Sequence, residues 1–462
     1  MIRKAPDIKV FFQDIEYNNL YCYGAGNVLK DFLCSYSDID VVAVVDGNKQ
    51  ENEINFGERE IPIITPEQLA EHTEKIVLLI TCFDYQNVVS RLEELYTLRG
   101  KKDNLIYYIY CEMRQFVSNE NDIQRNTGKY QITEFRMLDY NAGQKAPADA
   151  ARIAANSGFK ALTVIRGTAS SGILQTQQQW NLVCDEIEYN STVFIQYPII
   201  DQSDGVNKLI RLRYEKNIKI ICLIHDIQLL RSECEIVYGL EYDFLKELAD
   251  IWIVHNERMK KLLIEKGFSE ERIVCLGIFD YLIDNPSEVI YSDGVIVAGN
   301  LDKAKSEYIY HLKEIKGIMF NLFGANYNDI KYNNITYYGS FLPDDLISNL
   351  RGKYGLVWDG NTVHTCGGNT GRYLRYNNPH KMSLYLAVGL PVVVWKQSAT
   401  AEFVINEKIG IVVDSLYDLP KRLKNISQDN YNEMKKNAIR IGERIRGGKY
   451  LEQALMIAEN MI

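Results

Sequence analysis

The stretch 354–395 combines an apolar strand, a glycine-rich loop and a lysine at a predicted helix start, and these features together suit an anion. It reads YGLVWDGNTVHTCGGNTGRYLRYNNPHKMSLYLAVGLPVVVW. We expect Asn378 to cap the helix, Pro379 to take its first position and Lys381 to lie in its first turn. Free amide hydrogens, the helix dipole and the lysine charge would favour a diphosphate. The alternative is a capped helix whose Lys381 points to solvent.

His225 and Asp226 follow the apolar run IKIICLI and are the side chains best placed to remove a proton. Residues at the carboxyl end of a parallel strand face the ligand cleft of an α/β sheet. We therefore predict Asp226 as a general base, with His225 as its positioner or alternate. The alternative is that the pair only caps the next element.

A third candidate site lies near the N-terminus, in YGAGNVL (23–29). Gly24 and Gly26 match the first two glycines of a dinucleotide loop, but Leu29 stands where a small third residue is usual. Asp46 follows Gly26 by 20 residues, a spacing that suits a ribose contact. The pattern leaves nucleotide binding open but favours a structural or oligomerising role for this domain.

Three successive segments must position these residues, and each alternates apolar strands with helical patterns. Such alternation indicates parallel sheets covered by helices on both faces. We predict an α/β protein with a Rossmann-like domain at 1–125, a first doubly wound lobe at 131–290 and a second at 291–462 that ends in helices. Two successive lobes of this kind resemble the GT-B fold.

Composition narrows the function classes. The 462 residues carry a formal net charge of −9, which gives no basic footprint for nucleic acid. The nine cysteines include no pair with metal-knuckle or redox spacing, and MIRKAPDIKVFFQD has no apolar signal core. We expect reduced thiols and a cytoplasmic location. Peripheral attachment of the protein to the membrane surface is compatible with that location.

Several motifs resemble the donor lobe of bacterial galactofuranosyltransferases and of the related glucosyltransferases that extend glycans on serine-rich-repeat adhesins. The main one is YNNPHKMSLYLAVGLPVVVWKQSATAEFVINEKIGIVV, and GLVWDG precedes it. NAGQKAPADAARIA resembles the first loop and helix of that family, CLIHDI its His-Asp motif and AGNLDKAK its loop with a basic residue. The resemblance covers about residues 131–440.

The resemblance implies roles for individual donor-lobe residues. Lys303, in the loop with Gly299 and Asn300, and Lys381, in the NPHK-like motif, would contact the donor diphosphate. His380 lies beside that phosphate and would donate a hydrogen bond.

Two further donor contacts depart from the wider pattern. Phe341 stands where the family has a tyrosine near the nucleotide, so the hydroxyl contact is lost. No carboxylate opens the helix before GLPVVVW, and Glu402 would hold the ribose instead.

On the acceptor side, Gly143 and Gln144 belong to the stretch that resembles the first loop of the family.

The resemblance implies an inverting transfer of galactofuranose from UDP-galactofuranose to a growing, lipid-linked surface polysaccharide. Two lysines and helix amides would stabilise the leaving diphosphate, so we predict no metal and no required cofactor. The alternatives are a UDP-glucose-dependent glucosyltransferase, an NAD-dependent oxidoreductase centred on residues 1–125, and a non-catalytic carbohydrate-binding scaffold. The expected binding partners are a UDP-sugar and a glycan acceptor. Association of the chain with further copies of itself stays open.

Overall fold

A computed structural model of the chain describes residues 1–4, 8–36, 39–47, 52–56, 59–82, 85–110, 128–135, 144–165, 180–199, 205–283, 289–290, 292–328 and 331–462. The chain divides into two compact units. The first comprises Met1–Gly128, Val164–Ser191 and Asp201–Ile218. The second comprises Lys129–Thr163, Thr192–Ile200 and Lys219–Ile462.

The first unit is built on a seven-stranded sheet. Its strands are β1 (Ile2–Arg3), β2 (Asn19–Tyr23), β3 (Ala43–Val45), β4 (Glu53–Phe56), β5 (Arg59–Ile64), β6 (Ile76–Ile80) and β7 (Leu105–Ile109). The order is β1-β7-β6-β2-β3-β5-β4, and all neighbours are parallel except the antiparallel pair β4 and β5. The accompanying helices are α1 (Ile8–Tyr17), α2 (Asn27–Ser35), α3 (Pro66–Leu69) and α4 (Tyr85–Leu98), with a 3-10 turn at Lys102–Asn104.

A six-stranded sheet follows along the chain, and we call it the acceptor-lobe sheet. Its strands are β8 (Lys129–Phe135), β9 (Lys160–Ile165), β10 (Thr192–Tyr197), β11 (Lys219–Ile224), β12 (Ile251–Val254) and β13 (Ile273–Cys275). The order is β13-β12-β11-β10-β8-β9, and β8 and β10 to β13 pair in parallel. The helices of this stretch are α5 (Lys145–Asn156), α6 (Gly205–Glu215), α7 (Gln228–Ser232), α8 (Glu235–Tyr238), α9 (Glu241–Leu248) and α10 (Glu257–Glu265), and a 3-10 turn spans Glu270–Arg272.

The second six-stranded sheet is the donor-lobe sheet. Its strands are β14 (Val295–Ala298), β15 (Phe320–Phe323), β16 (Ile335–Tyr337), β17 (Tyr354–Val357), β18 (Val392–Trp395) and β19 (Gly410–Val413). All neighbours are parallel in the order β16-β15-β14-β17-β18-β19. The order reverses between β14 and β17, and in doubly wound sheets the crevice at that switch point binds ligands.

Helices of the donor lobe and the tail complete the chain. They are α11 (Lys303–Ser306), α12 (Pro343–Asn349), α13 (Gly368–Tyr373), α14 (His380–Ala387), α15 (Ala401–Glu407), α16 (Leu419–Lys424), α17 (Gln428–Arg446) and α18 (Lys449–Glu459), with 3-10 segments at Glu307–Glu314 and Leu416–Asp418. Within the described ranges no helix is both long and apolar enough to cross a bilayer.

The central strands explain why both lobes are doubly wound. The residues of β18 read VVVW and are all buried, as are those of β12 and β17. A strand that is apolar on both faces needs cover on both, and β-branched residues fit the pleated surface well. Parallel pairing with helices on either side supplies that cover.

The final helix packs on the acceptor lobe although it follows the donor lobe in sequence. Leu451 and Leu455 are buried with Ile153 of α5 and Ile253 of β12 in one apolar cluster. The Asp280 carboxylate accepts the backbone N–H of Leu451 at 2.8 Å and so caps this helix. The tail therefore ties the two lobes of the second unit together.

The predicted fold class is confirmed, since the two six-stranded sheets are doubly wound lobes of the GT-B type and a Rossmann-like sheet precedes them. The predicted strand TEFRMLDY begins earlier, at Lys129, and residues 136–140 lie outside the described ranges. The helical tail expected from about 428 onward is present as α17 and α18. The boundaries near 125 and 290 stay predictions.

Candidate active site

The turn that precedes α14 differs from the sequence prediction. Pro379 is the N-cap of the helix and makes no side-chain capping bond, so Asn378 does not cap it. Asn378 is only 4% exposed and its amide donates to the backbone oxygens of His255 and Gly277 at 2.8 and 2.9 Å. Its own oxygen accepts from the Asn256 amide at 2.8 Å. The prediction was wrong because these buried partners hold the side chain away from the helix.

Lys381 lies in the first turn of α14, as its spacing predicts, and its side chain turns inward. Its Nζ donates to the Trp358 backbone oxygen at 2.9 Å and to the Asp359 carboxylate at 2.8 Å. The two side chains of this ion pair are 18% and 14% exposed. The alternative of a solvent-directed lysine is therefore wrong. The ammonium lies at the carboxyl end of β17, beside the switch point.

The second cation at this edge is Lys305. Lys303 is exposed at the start of α11, whereas Lys305 is half-buried. Burial lowers the pKa of Lys305, and the charges that act on it come from four residues of both lobes, Asp359, Lys381, Arg231 and Asp226. Side chains two positions apart on a helix do not face the same side. The structure therefore places Lys305 in the charged cluster and leaves the predicted Lys303 outside it.

Asp226 follows β11 and faces this cluster from the acceptor lobe. Its carboxylate pairs with Arg231 of α7 at 2.9 Å and is 29% exposed. Burial raises the pKa of Asp226, against the opposing effects of Arg231, the Tyr373 hydroxyl and Lys305. A half-buried carboxylate with a raised pKa is a stronger base than one in water, which suits proton removal from a hydroxyl.

Three imidazoles surround Phe279 beside Asp226. The ring of His225 stacks on Phe279 at 5.4 Å, while His255 and His380 meet it edge-on at 4.8 and 6.3 Å. Burial lowers the pKa of His225 to about 3 and those of His255 and His380 to about 4. All three are neutral near pH 7, so they offer hydrogen bonds rather than positive charge.

His225 has a fixed hydrogen-bond partner. Its Nε2 lies 2.7 Å from the side-chain oxygen of Gln196, which can only accept. The proton therefore sits on Nε2, and Nδ1 keeps a lone pair. With this tautomer His225 can accept a hydrogen bond through Nδ1, which suits a positioner, whereas its lowered pKa makes it a weak base.

Close glycine packing shapes the loop that leads from β17 to α13. Gly360 has φ of +105°, and a Cβ there would lie 2.0 Å from the backbone oxygen of Gly367. Gly299, after β14, has φ of +139°. Only glycine adopts such conformations readily, so glycine lets the chain turn sharply after both strands at the switch point.

Comparisons with known proteins match two stretches of the chain to two family models. Residues 129–278 match the family model described as the N-terminal domain of glucosyltransferase 3-like proteins, and residues 295–458 match the C-terminal domain. The chain is also 32% identical over 345 residues to β-1,6-galactofuranosyltransferase WbbI of Escherichia coli (strain K12), covering 71% of this chain and 97% of that protein. The chain belongs to the glucosyltransferase 3-like family. It is a glycosyltransferase.

Other similarities to this glycosyltransferase are more distant. Glucosyltransferase 3 of Streptococcus gordonii is 22% identical over 316 residues, which cover 68% of this chain and 92% of that protein. The crystal structure of HepE from Anabaena in complex with UDP-glucose has a TM-score of 0.46 at 13% identity and covers 72% of this chain and 99% of that chain.

The remaining donor-side predictions lie around the switch point of the glycosyltransferase. Asn300 is exposed, and its side-chain oxygen accepts the backbone N–H of Asp302 at 3.0 Å. Phe341 packs near Phe323 at 6.4 Å between ring centres. Glu402 is exposed in the first turn of α15. Their contacts with a nucleotide stay predictions.

On the acceptor side Gln144 directly precedes α5 and makes no side-chain cap, while Gly143 lies outside the described residues. The next residue, Lys145, donates to the Leu282 backbone oxygen at 2.8 Å and lies 4.7 Å above the Tyr281 ring. The role of this loop in acceptor binding stays a prediction.

In the first unit of the glycosyltransferase the dinucleotide-like loop closes on itself. The Asp46 carboxylate accepts the backbone N–H of Ala25 at 3.0 Å. Gly24 has φ of +102°, Gly26 is the N-cap of α2, and Leu29 is 1% exposed in the core. An acidic residue that binds the loop has one oxygen fewer for a ribose, which favours the structural role.

Four residues of the charged site were not predicted from the sequence, namely Arg231, Lys305, Asp359 and Tyr373. Asp359 carried a signal, because it ends the strand motif GLVWDG and strand ends line the cleft. Arg231 and Tyr373 carried no sequence signal, because their positions in the site depend on the packing of α7 against α13.

Proposed function

We propose that this glycosyltransferase moves galactofuranose from UDP-galactofuranose, with inversion, onto a growing surface polysaccharide. The observation that carries the proposal is the 32% identity to a β-1,6-galactofuranosyltransferase along 97% of that protein. The charged cluster supports it, because it supplies a base and two cations at facing strand ends.

The leaving group in this reaction is a diphosphate. As the bond between C1 of the sugar and the phosphate oxygen breaks, the electron pair goes to that oxygen and negative charge grows there. Lys381 and Lys305 lie at the switch point where this charge would develop. Prearranged cations stabilise such charge without reorganisation. We therefore propose that the enzyme needs no metal ion.

The incoming group is an acceptor hydroxyl. Its oxygen attacks C1 from the face opposite the diphosphate, and its proton passes to Asp226, with His225 as the positioner. A single displacement of this kind inverts the configuration at C1. His380 is half-buried beside the same ring cluster, and its Nε2 lies 3.3 Å from the backbone oxygen of Asp280, so the one proton of the neutral ring is donated there. A hydrogen bond from His380 to the departing phosphate would require this proton to leave Asp280.

For the nucleoside we propose contacts from residues that flank the switch point. Gly299 and Asn300 would approach the diphosphate through the loop after β14, Phe341 the base and Glu402 the ribose hydroxyls. Lys303, at the solvent-exposed start of α11, is the alternative to Lys305 for the phosphate contact. For the first unit we propose a structural role, with binding of a nucleotide as the alternative.

An apolar surface supports a lipid-linked acceptor at the cytoplasmic face of a membrane. Ile236, Val237 and Leu240 are 98%, 66% and 77% exposed and line a groove of about 620 Å³ together with Leu229 of α7. Exposed apolar patches of this kind mark interaction sites. Because α7 carries Leu229 of the groove as well as Arg231, which pairs with Asp226, the groove belongs to the lobe of the proposed base.

The test is a donor comparison with purified enzyme and an oligosaccharide acceptor. UDP-galactofuranose, UDP-galactopyranose and UDP-glucose are supplied separately, and UDP release and product linkage are measured. We expect turnover with UDP-galactofuranose, and an Asp226→Asn variant with at least about a hundredfold lower kcat. Turnover of UDP-glucose alone would replace the galactofuranose proposal.

That second outcome corresponds to the other candidate, a UDP-glucose-dependent glucosyltransferase. The observation that favours it is the match of both lobes to glucosyltransferase 3-like models. The same donor comparison separates the two, because both require the same lobes and differ only in the sugar.

A further inference from the structure

Helix α13 of the donor lobe contacts the segment that follows Asp226 in the acceptor lobe. Asn369 donates to the Ser232 backbone oxygen at 2.9 Å. Arg372 binds the Glu233 carboxylate through two nitrogens, at 2.8 and 2.5 Å. A paired guanidinium–carboxylate contact fixes orientation as well as distance. The proposed base therefore has a docking element of the opposite lobe directly beside it.

Tyr373, the last residue of α13, reaches the base itself. Its hydroxyl oxygen accepts the backbone N–H of Ile227 at 3.1 Å, and the residue is 4% exposed. The same hydroxyl and the Asp226 carboxylate share a side-chain hydrogen bond, which Tyr373 must donate because a carboxylate can only accept. The hydroxyl thus bridges the backbone after the base and the base's own carboxylate.

The groups that face Asp226 come from several elements. Arg231 of α7 and Tyr373 of α13 bind its carboxylate, and Lys305 of α11 acts on it by charge. His225 precedes it and is neutral. Burial raises the pKa of Asp226, while the Tyr373 hydrogen bond opposes that rise. Removing the hydroxyl should therefore raise the pKa of Asp226 further.

The same helix also reaches the donor side. Thr370 of α13 donates to the backbone oxygen of Lys305 at 3.3 Å. Gly360 and Gly367, which pack together in the loop before α13, follow Asp359, the ion-pair partner of Lys381. One short helix therefore contacts both the cationic edge and the proposed base.

We propose that Tyr373 is a positioning residue that holds Asp226 in its proton-accepting orientation only while α13 is docked on the acceptor lobe. The inference rests on the proposed role of Asp226 as base. It makes the base dependent on the lobe that binds the donor, so acceptor activation follows docking of the donor lobe.

The test compares pH profiles of kcat/KM for the acceptor in wild type and Tyr373→Phe. We expect kcat to fall by roughly tenfold, the loss typical of one hydrogen bond to a charged group. We also expect the acid limb of the profile to move to higher pH, while UDP affinity stays unchanged. Tyr417→Phe is the matched control, because it also removes a hydroxyl bonded to a carboxylate, that of Glu314, but at an exposed position.

A second variant keeps the proposal testable if Tyr373→Phe does not fold. Glu233→Gln removes the ion pair that docks α13 and leaves Tyr373 in place, so we expect a smaller shift of the acid limb in the same direction. An unmoved acid limb in a folded variant overturns the positioning role. If Asp226→Asn keeps wild-type kcat, the base assignment itself is wrong, which is a different failure.

Discussion

The backbone N–H of Asn378 donates to Nδ1 of His255 across 2.9 Å, and this bond joins the NNPHK turn to the acceptor lobe. The other ring nitrogen, Nε2, lies 2.9 Å from the backbone oxygen of Ile224, which can only accept. Only the neutral imidazole with its proton on Nε2 satisfies both partners. The turn that carries Lys381 is therefore held by the lobe that carries Asp226.

Replacing Asn378 with alanine should destabilise the second unit. The change leaves the backbone oxygens of His255 and Gly277 and the Asn256 amide without their buried partner. We expect the free energy of unfolding to fall by about 2–4 kcal/mol, measured by urea denaturation. Asn349→Ala is the control, since that amide bonds its own helix at the surface, and it should change stability by less than about 0.5 kcal/mol. Equal effects would contradict the assigned role of Asn378.

Stability should decrease as the solution is acidified toward pH 4. The unfolded imidazole has its pKa near 6.5, whereas burial lowers that of His255 to about 4. Between these values the unfolded state binds more protons, so stability falls with falling pH, by up to about 1.4 kcal/mol per pH unit for this group.

The measurement is a set of urea titrations between pH 7.5 and 4.5. His255→Gln should lose part of the slope between pH 6.5 and 4.5, whereas His364→Gln, at an exposed position, should keep it. An unchanged slope in His255→Gln would show that other groups cause the acid sensitivity.

The two lysines of α11 should differ in their effect on UDP affinity. Lys305→Ala removes a half-buried cation beside Asp359 and Lys381, whereas Lys303→Ala removes an exposed one. We expect a loss of about tenfold or more for Lys305→Ala and less than about twofold for Lys303→Ala, measured by calorimetric titration. The reverse order would return the phosphate role to Lys303.

Lys381→Ala should lower UDP affinity at least about tenfold, because a cation directed at the switch point is lost. Lys396→Ala is a fair comparison: it breaks a lysine–aspartate pair in the same lobe, but an exposed one, at 3.1 Å to Asp414. Circular dichroism and thermal unfolding establish that both variants are folded. Unchanged UDP affinity in folded Lys381→Ala would refute the phosphate role.

The sheets were predictable from the sequence because their signals are local. Runs such as VVVW and KIICLI are apolar on both strand faces, and the loops between them carry glycine and asparagine at turns. Parallel strands joined by helices then follow with little ambiguity. Local signals also predicted that Lys381 lies at a helix start and that Asp226 lies at a strand end.

The fine structure of the site was less predictable because it depends on contacts between distant segments. Asn378 has the sequence signature of a cap, yet partners more than 100 positions away hold its side chain. Positions 303 and 305 are both lysines, and only the helix face on which each side chain lies distinguishes them. Tyr373 reaches Asp226 only because α13 and α7 meet, which no local pattern encodes.

The packing of α18 on the acceptor-lobe sheet has a consequence for biosynthesis. Leu451 and Leu455 complete a cluster whose other members, such as Phe194 and Ile253, leave the ribosome about 200 residues earlier. Until residues 449–459 have been translated, that apolar surface stays open to chaperones or to other nascent chains. Native-like closure of the early lobe is therefore a late event, which couples its maturation to completion of the donor lobe.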